Sequence, residues 1–239
     1  MFKLRPSELA ANLALSATAI FVTLVVLEVV VFRMILPPDD VIENATIDGV
    51  VRYRPETSAT FRHPDGRTTQ LTINKDGWNS TIPAYATQKT AGVTRIAVIG
   101  DSYVHGAFVN VDEGFPSVLS KNLKADGHRV EVYRFGMDGA PLSQYLNVLR
   151  KEVLRYAPDI VVVPLIHNDF DESYRFIKTR YASSFMKLRT NEAGQIEEVP
   201  ASDFKPGLAD KLRRFATFRY LYYETGLYLR IKSWVNAFF

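Results

Sequence analysis

Short apolar runs alternate with amphipathic segments between residues 94 and 169, and this alternation limits the possible folds most. The segments are RIAVIG (95–100), FPSVLSKNLKADG (115–127), RVEVYRFG (129–136), PLSQYLNVLRKEVLRYAP (141–158) and DIVVVPLIHND (159–169). The second and fourth place apolar residues at helical spacing, and the other three are typical of strands. Strand, helix, strand, helix, strand predicts an α/β layer with a doubly wound parallel sheet. Ligands bind such a layer at the carboxyl ends of its strands.

Three residues follow the predicted strands at the positions where ligands bind. Ser102 stands in IGDS after the first strand, Gly139 in FGMDGAP after the second, and Asn168 in IHND at the end of the third. A serine hydroxyl is a nucleophile only with a base and with donors for the oxyanion that develops. A glycine N–H and an asparagine amide are suitable donors. The alternative is that each residue only shapes a turn.

The three blocks VIGDSYVHGAFVNVDEGFP, FGMDGAPLSQ and VVVPLIHNDF, in this order, resemble the SGNH (GDSL-type) hydrolases, and the membrane-anchored periplasmic branch most of all. The resemblance covers about residues 94–172 and, more loosely, INKDGWNS before them. It implies a flavodoxin-like three-layer α/β/α fold and ester hydrolysis or acyl transfer. In that family Ser102 would be the nucleophile and an oxyanion donor, with Gly139 and Asn168 completing the oxyanion hole. Asp101 and Asp169 would support the loops.

The resemblance is incomplete at two points. Ile166 stands where the family usually has a glycine, and the late Asp-x-x-His block that supplies the base is not present. Of the four histidines, His105 and His167 lie near the predicted site residues in sequence, but an ordinary loop or packing role is the favoured interpretation for both. The sequence also lacks the last strands of the sheet and ends in RIKSWVNAFF, which is typical of mid-helix. Either the chain is the N-terminal part of a longer enzyme, or it is a shortened non-catalytic relative.

A second strong feature is the segment from Leu9 to Phe32, which has 24 residues and one charge, Glu28. About 20 apolar residues span a bilayer core, and a cleaved signal peptide has a shorter apolar region. Basic residues precede the segment and acidic residues follow it. The pattern predicts a single-pass inner-membrane anchor with a cytoplasmic N-terminus and a periplasmic body. Glu28 either pairs with a partner helix or reaches water at the outer interface.

The remaining sequence supports a division into six segments. They are a cytoplasmic N-terminus (1–8), a transmembrane helix (9–35), a β-rich linker (36–93), the α/β core (94–172), an irregular insertion (173–207) and a basic aromatic helical tail (208–239). In the tail, nine aromatic residues after residue 214 are interleaved with basic ones. This composition suits a membrane interface or a protein partner, and a cap helix on the core is an equal alternative.

The composition limits the possible partners and cofactors. A formal net charge of +3 is too balanced for a nucleic-acid surface. The absence of cysteine excludes disulfides, thiolate metal sites and cysteine nucleophiles. We expect no cofactor and no metal, and we expect a lipid bilayer as the partner of residues 9–35. A membrane-protein partner for the span and residues 208–239 is a further possibility.

Overall fold

The computed structural model describes residues 5–63, 65–175, 184–227, 230 and 233–234. The chain forms two compact units, one made by residues up to Val41 together with those from Pro206 onward, the other by Ile42–Lys205. Parts of four predicted segments lie outside the described residues: positions 1–4 of the N-terminus, 64 of the linker, 176–183 of the insertion, and 228–229, 231–232 and 235–239 of the tail.

The first unit begins with a long apolar helix. Helix α1 (Pro6–Val26) continues without a break as a π-helical stretch, Leu27–Ile35. From Ser7 to Ile35 it has 29 residues, or roughly 43 Å at 1.5 Å per residue, more than the ~30 Å of a bilayer core. Its large side chains are exposed, including Leu15 at 71% and Phe21 at 67%. A helix of this kind can cross a membrane or act as a signal sequence.

Two antiparallel hairpins open the second unit. Strands β1 (Asn44–Ile47) and β2 (Val50–Tyr53) are joined by Asp48 and Gly49, both with positive φ, as a tight primed turn requires. Strands β3 (Ser58–Arg62) and β4 (Thr68–Thr72) form the second hairpin around the predicted turn at 63–67. The strand predicted from TTQLTIN is thereby confirmed as β4.

The core of the second unit is a parallel sheet of three strands. β5 (Thr94–Gly100) lies between β6 (Val130–Gly136) and β7 (Ile160–Val162). The predicted α/β class with a parallel sheet is therefore confirmed. The third strand is shorter than the predicted 159–169. Pro164 has no N–H to donate to a ladder, and residues 167–170 form a turn.

Helices cover both faces of this sheet, so the layers are α/β/α. They are α2 (Ser102–His105), α3 (Phe115–Ala125) and α4 (Leu142–Lys151), the last followed by a 3-10 turn, Val153–Tyr156. Alternate residues of β5 point to opposite faces. One face packs with Leu119 and Leu123 of α3, and the other with Tyr145 and Val148 of α4.

The segment predicted as an irregular insertion contains regular structure. Strands β8 (Lys187–Thr190) and β9 (Ile196–Val199) form an antiparallel hairpin. Asn191 stabilises its turn, because its Oδ1 accepts the N–H groups of Ala193 and Gln195 at 3.0 and 2.9 Å. The hairpin is held to the core where the Ser143 hydroxyl donates to the Met186 carbonyl at 2.7 Å.

In the first unit, the end of the apolar helix is hydrogen-bonded to the C-terminal segment. That segment contains α5 (Leu208–Leu212), α6 (Ala216–Arg219) and a π-helical turn, Tyr220–Glu224. The Glu28 carboxylate accepts hydrogen bonds from the backbone N–H groups of Ala216 and Thr217, both at 2.9 Å. It also forms an ion pair with Arg33. The contact made by Glu28 therefore differs from both predicted alternatives, a partner helix and water. Glu28 caps helix α6 of its own chain.

Candidate functional site

Ser102 lies at a sharp strand-to-helix corner. It is the first residue of the one-turn helix α2, directly after β5. Asp101 caps this helix, and its carboxylate accepts the Tyr103 N–H at 3.0 Å. Gly106 ends the helix in the left-handed conformation, with φ 71°. Its N–H donates to the Ser102 carbonyl at 2.7 Å. Ser102 is half-buried in this position.

Gly139 lies in the loop after β6. Its φ of 67° is a conformation that favours glycine. Two hydrogen bonds from backbone N–H groups fix the preceding residues of this loop. The Met137 N–H donates to the Gly100 carbonyl at 3.1 Å, and the Asp138 N–H donates to the Tyr53 hydroxyl at 3.0 Å. The first bond joins the Gly139 loop to the strand that leads to Ser102.

Asn168 lies in the turn after β7 and is half-buried. Its neighbour Asp169 is fully buried, and one carboxylate oxygen of Asp169 accepts the Ile166 N–H at 2.9 Å. The Asp169 carbonyl accepts the Leu142 N–H at 3.2 Å. This bond connects the Asn168 turn to the start of α4, which follows the Gly139 loop.

The pKa shifts of two buried groups indicate that aspartates from the three loops lie near one another. Burial, and then the charges of Asp169 and Asp138, raise the pKa of Asp101. Burial, and then the carboxylates of Asp101 and Asp169, raise the pKa of Tyr145, whose side chain is buried on α4. One acidic group from each of the loops after β5, β6 and β7 therefore lies at the same edge of the sheet. Within the described ranges, no group of three or more acidic or histidine side chains is arranged to hold a metal ion.

The structure shows where each histidine lies. His105 is buried, with its ring 4.5 Å from that of Tyr53, and burial followed by the charge of Arg134 lowers its pKa to about 3. His63 is hydrogen-bonded to Thr69 at 2.6 Å. His128 and His167 are exposed. In the part of the chain that the structure describes, none of the four is hydrogen-bonded to Ser102.

Asn79 is a supporting residue that the sequence did not single out. Its side-chain amide donates to the His105 carbonyl at 2.8 Å, and its Oδ1 accepts the Thr72 N–H at 3.1 Å. Asn79 thus holds α2 from the linker side, next to the fully buried Trp78. Both residues belong to INKDGWNS, and the loose resemblance noted for that stretch was the only signal.

The comparisons with known proteins agree with this geometry. The family model described as GDSL-like Lipase/Acylhydrolase matches residues 96–218, just over half of the chain. No curated protein and no solved structure matches. The matched residues begin in β5 and include Ser102, Gly139 and Asn168. Together with the parallel sheet between helical layers, the match indicates a hydrolase of the esterase type in general. The chain therefore belongs to the family of GDSL-like lipases and acylhydrolases.

Proposed function

We propose that the chain is a membrane-anchored serine esterase or O-acyltransferase. Ser102 attacks the carbonyl of an acyl ester, and an acyl-enzyme forms as the alcohol leaves. The N–H groups of Ser102 and Gly139 and the side-chain amide of Asn168 stabilise the tetrahedral oxyanion. Water or a second alcohol then accepts the acyl group. We further propose that the ester is carried by a polysaccharide, as the family resemblance suggests.

The observation that carries this proposal is the convergence of three strand ends. The Met137–Gly100 and Leu142–Asp169 hydrogen bonds connect the loops of Ser102, Gly139 and Asn168. The effect of Asp138 and Asp169 on the pKa of Asp101 indicates that these loops lie near one another. A nucleophile and oxyanion donors must be held by a rigid scaffold before reaction, because reorganising dipoles during the reaction costs free energy. The two hydrogen bonds hold the loops of Ser102, Gly139 and Asn168 to one another before any substrate binds.

The group least well provided for in the proposed reaction is the base that accepts the proton of Ser102. His105 is buried and, in the described part of the chain, is not hydrogen-bonded to Ser102. Burial lowers its pKa to about 3, which makes its ring a weak base. In serine hydrolases the nucleophile and the base act as a unit, and oxyanion geometry alone leaves roughly 10³–10⁴-fold acceleration over water. We therefore expect weak esterase activity from these 239 residues alone.

The experiment compares the purified full chain in detergent with Ser102→Ala and Asn168→Ala, using a chromogenic acetate ester and a fluorophosphonate label. Wild type should carry the label on Ser102, and added imidazole should raise its turnover because it replaces the base. Ser102→Ala should lose both responses, and Asn168→Ala should lose most of the turnover. Ser58→Ala changes an exposed serine of β3 and is the matched control. Labelling of Ser102→Ala equal to that of wild type would contradict the proposal.

We also propose that the apolar helix is an uncleaved inner-membrane anchor, with the body in the periplasm. Length, exposed apolar side chains and the Glu28 contact to Ala216 and Thr217 support retention of the helix, because cleavage would remove a cap of α6. The flanking charges support the orientation. Protease added to intact spheroplasts should digest the body. Digestion only after lysis would reverse the orientation.

A non-catalytic role in a membrane complex is the second candidate. The observation in its favour is that no histidine is hydrogen-bonded to Ser102 within the described ranges. In this case the span and residues 208–239 bind a membrane-protein partner. Stable co-purification of a partner, together with no labelling of Ser102, would favour this role over catalysis.

A further inference from the structure

A cavity lies beside α3, away from the strand ends that carry the proposed site. Its volume is about 420 Å³, within the range of small-molecule sites. One wall is a face of α3, the floor is β6, and the residues 80–82 close the other side. Ser102, Gly139 and Asn168 do not line it.

The cavity is positively charged and rich in hydroxyl groups. Lys121 and Lys124 of α3 line it together with Arg134 of β6, and Asp112 is the acidic residue among the lining side chains. Three cations against one carboxylate leave a formal charge of +2. Ser120 adds a hydroxyl donor on the α3 side, whereas the Ser117 hydroxyl already donates to the Val111 carbonyl at 2.6 Å.

Arg134 is the unusual member of this set. It is only 2% exposed, and its Nη2 donates to the Val111 carbonyl at 3.1 Å and to the Ser117 hydroxyl at 3.2 Å. Its Nη1 is buried and has no hydrogen-bond partner. In the described part of the chain no carboxylate forms an ion pair with it. A buried cation without a counter-charge is costly, and a bound anion would relieve that cost.

We infer that this cavity binds a small polar molecule that carries an oxyanion, a carboxylate or a phosphate group on a hydroxylated body such as a sugar unit. The two ammonium groups can bind an oxyanion directly, and the positive charge of the buried Arg134 guanidinium adds to the attraction. The Ser120 hydroxyl suits the hydroxyl groups of the rest of the ligand, and the volume is larger than a bare phosphate needs. The site is separate from catalysis at Ser102 and goes beyond the proposed function.

The inference is tested by calorimetric titration of the full chain in detergent with four probes: glucuronate, glucose 6-phosphate, inorganic phosphate and neutral glucose. At least one of the two acidic sugars should bind more tightly than both phosphate and glucose. Which of them binds better distinguishes a carboxylate ligand from a phosphate ligand. The Ser102→Ala variant should bind equally well, so failure of catalysis and failure of this site give different results.

Variants then locate the binding. The double variant Lys121→Ala, Lys124→Ala should weaken binding roughly tenfold or more, because each lost charge-assisted contact is worth about that factor. Lys151→Ala is the matched control, since Lys151 is exposed in the last turn of α4 as Lys124 is in the last turn of α3. No binding of either acidic sugar at millimolar concentration would overturn the inference. Equal binding by the double variant and the control would also overturn it.

Discussion

Gly136, the last residue of β6, lies directly against the backbone of His105 in α2. A Cβ atom on Gly136 would be 2.2 Å from the His105 amide nitrogen and 2.5 Å from the Val104 carbonyl carbon. Backbone atoms cannot rotate away as a side chain can. The helix that carries Ser102 is therefore seated on the end of β6, and the glycine is what permits this approach.

Gly136→Ala should displace α2 and disturb both stability and the site. Overpacking of a core costs about 1–3 kcal/mol, and a clash with backbone belongs at the upper end of this range. Chemical denaturation should show the loss, and fluorophosphonate labelling of Ser102 should fall. Gly127→Ala is the control, because that position has φ 86° and open space around it. It should cost roughly 1–2 kcal/mol of left-handed strain and leave labelling unchanged. Equal labelling of both variants would contradict the expectation.

The stability of the second unit should depend on pH through His105. Burial lowers its folded-state pKa to about 3 from an ordinary value of 6.5. Between these values the unfolded chain binds a proton that the folded chain does not. The contribution is complete above pH 6.5 and is lost as the pH falls towards 3, with a slope of at most about 1.4 kcal/mol per pH unit.

His105→Leu should remove this slope, and denaturation midpoints at pH 7.5, 6.0 and 5.0 would measure it. The difference between wild type and variant isolates His105 from the carboxylates that titrate nearby. His128→Gln, at an exposed position, should keep the wild-type slope. An unchanged slope in His105→Leu would show that His105 is not buried in its neutral form.

The sequence predicted the sheet well because its signals are local. Apolar runs such as RIAVIG and the helical spacing in FPSVLSKNLKADG correspond to β5 and α3. The order of the strands followed from general rules on crossover connections. The end of β7 was missed, because the apolar run continues past Pro164 although pairing does not.

What the sequence could not predict depends on contacts between distant residues. The ring of His105 packs against that of Tyr53, which lies 52 positions earlier in the β1–β2 hairpin. The capping of α6 by Glu28 joins residues 188 positions apart. Residue type and spacing carry no signal for either contact. For the same reason the placement of Ser102, Gly139 and Asn168 around one oxyanion stays a prediction until it is tested directly.

A buried ion pair joins the hairpin linker to the core. Arg52 Nη1 and Glu152 Oε1 are 2.7 Å apart, and both side chains are essentially unexposed. In Arg52→Met, Glu152 keeps its contacts with Arg155 at 2.8 Å, Tyr156 at 3.1 Å and the indole N–H of Trp78 at 3.5 Å. Removal of one partner of a buried pair typically costs about 3–5 kcal/mol when the other charge is left uncompensated. Because Arg155 still pairs with Glu152, urea unfolding should show a loss near the lower end of this range. The exposed pair Arg150–Glu198 is the control, and Arg150→Met should cost about 1 kcal/mol or less. Similar losses in both variants would refute the distinction.

The C-terminal segment of the first unit should depend on the charge of Glu28. The carboxylate accepts the N–H groups of Ala216 and Thr217 and the Thr217 hydroxyl, each at 2.9 Å. Glu28→Gln keeps the shape and removes the charge that favours these donors, and hydrogen bonds to charged groups contribute about 1.5–3 kcal/mol. Local opening of the segment should therefore be more frequent. Trypsin should cut at Arg213 and Arg214 several times faster in detergent-solubilised Glu28→Gln than in wild type.

Glu224→Gln changes an exposed carboxylate of the same unit and should leave the cleavage rate unchanged. If the two variants are cut equally fast, the Glu28 contacts do not hold this segment in place.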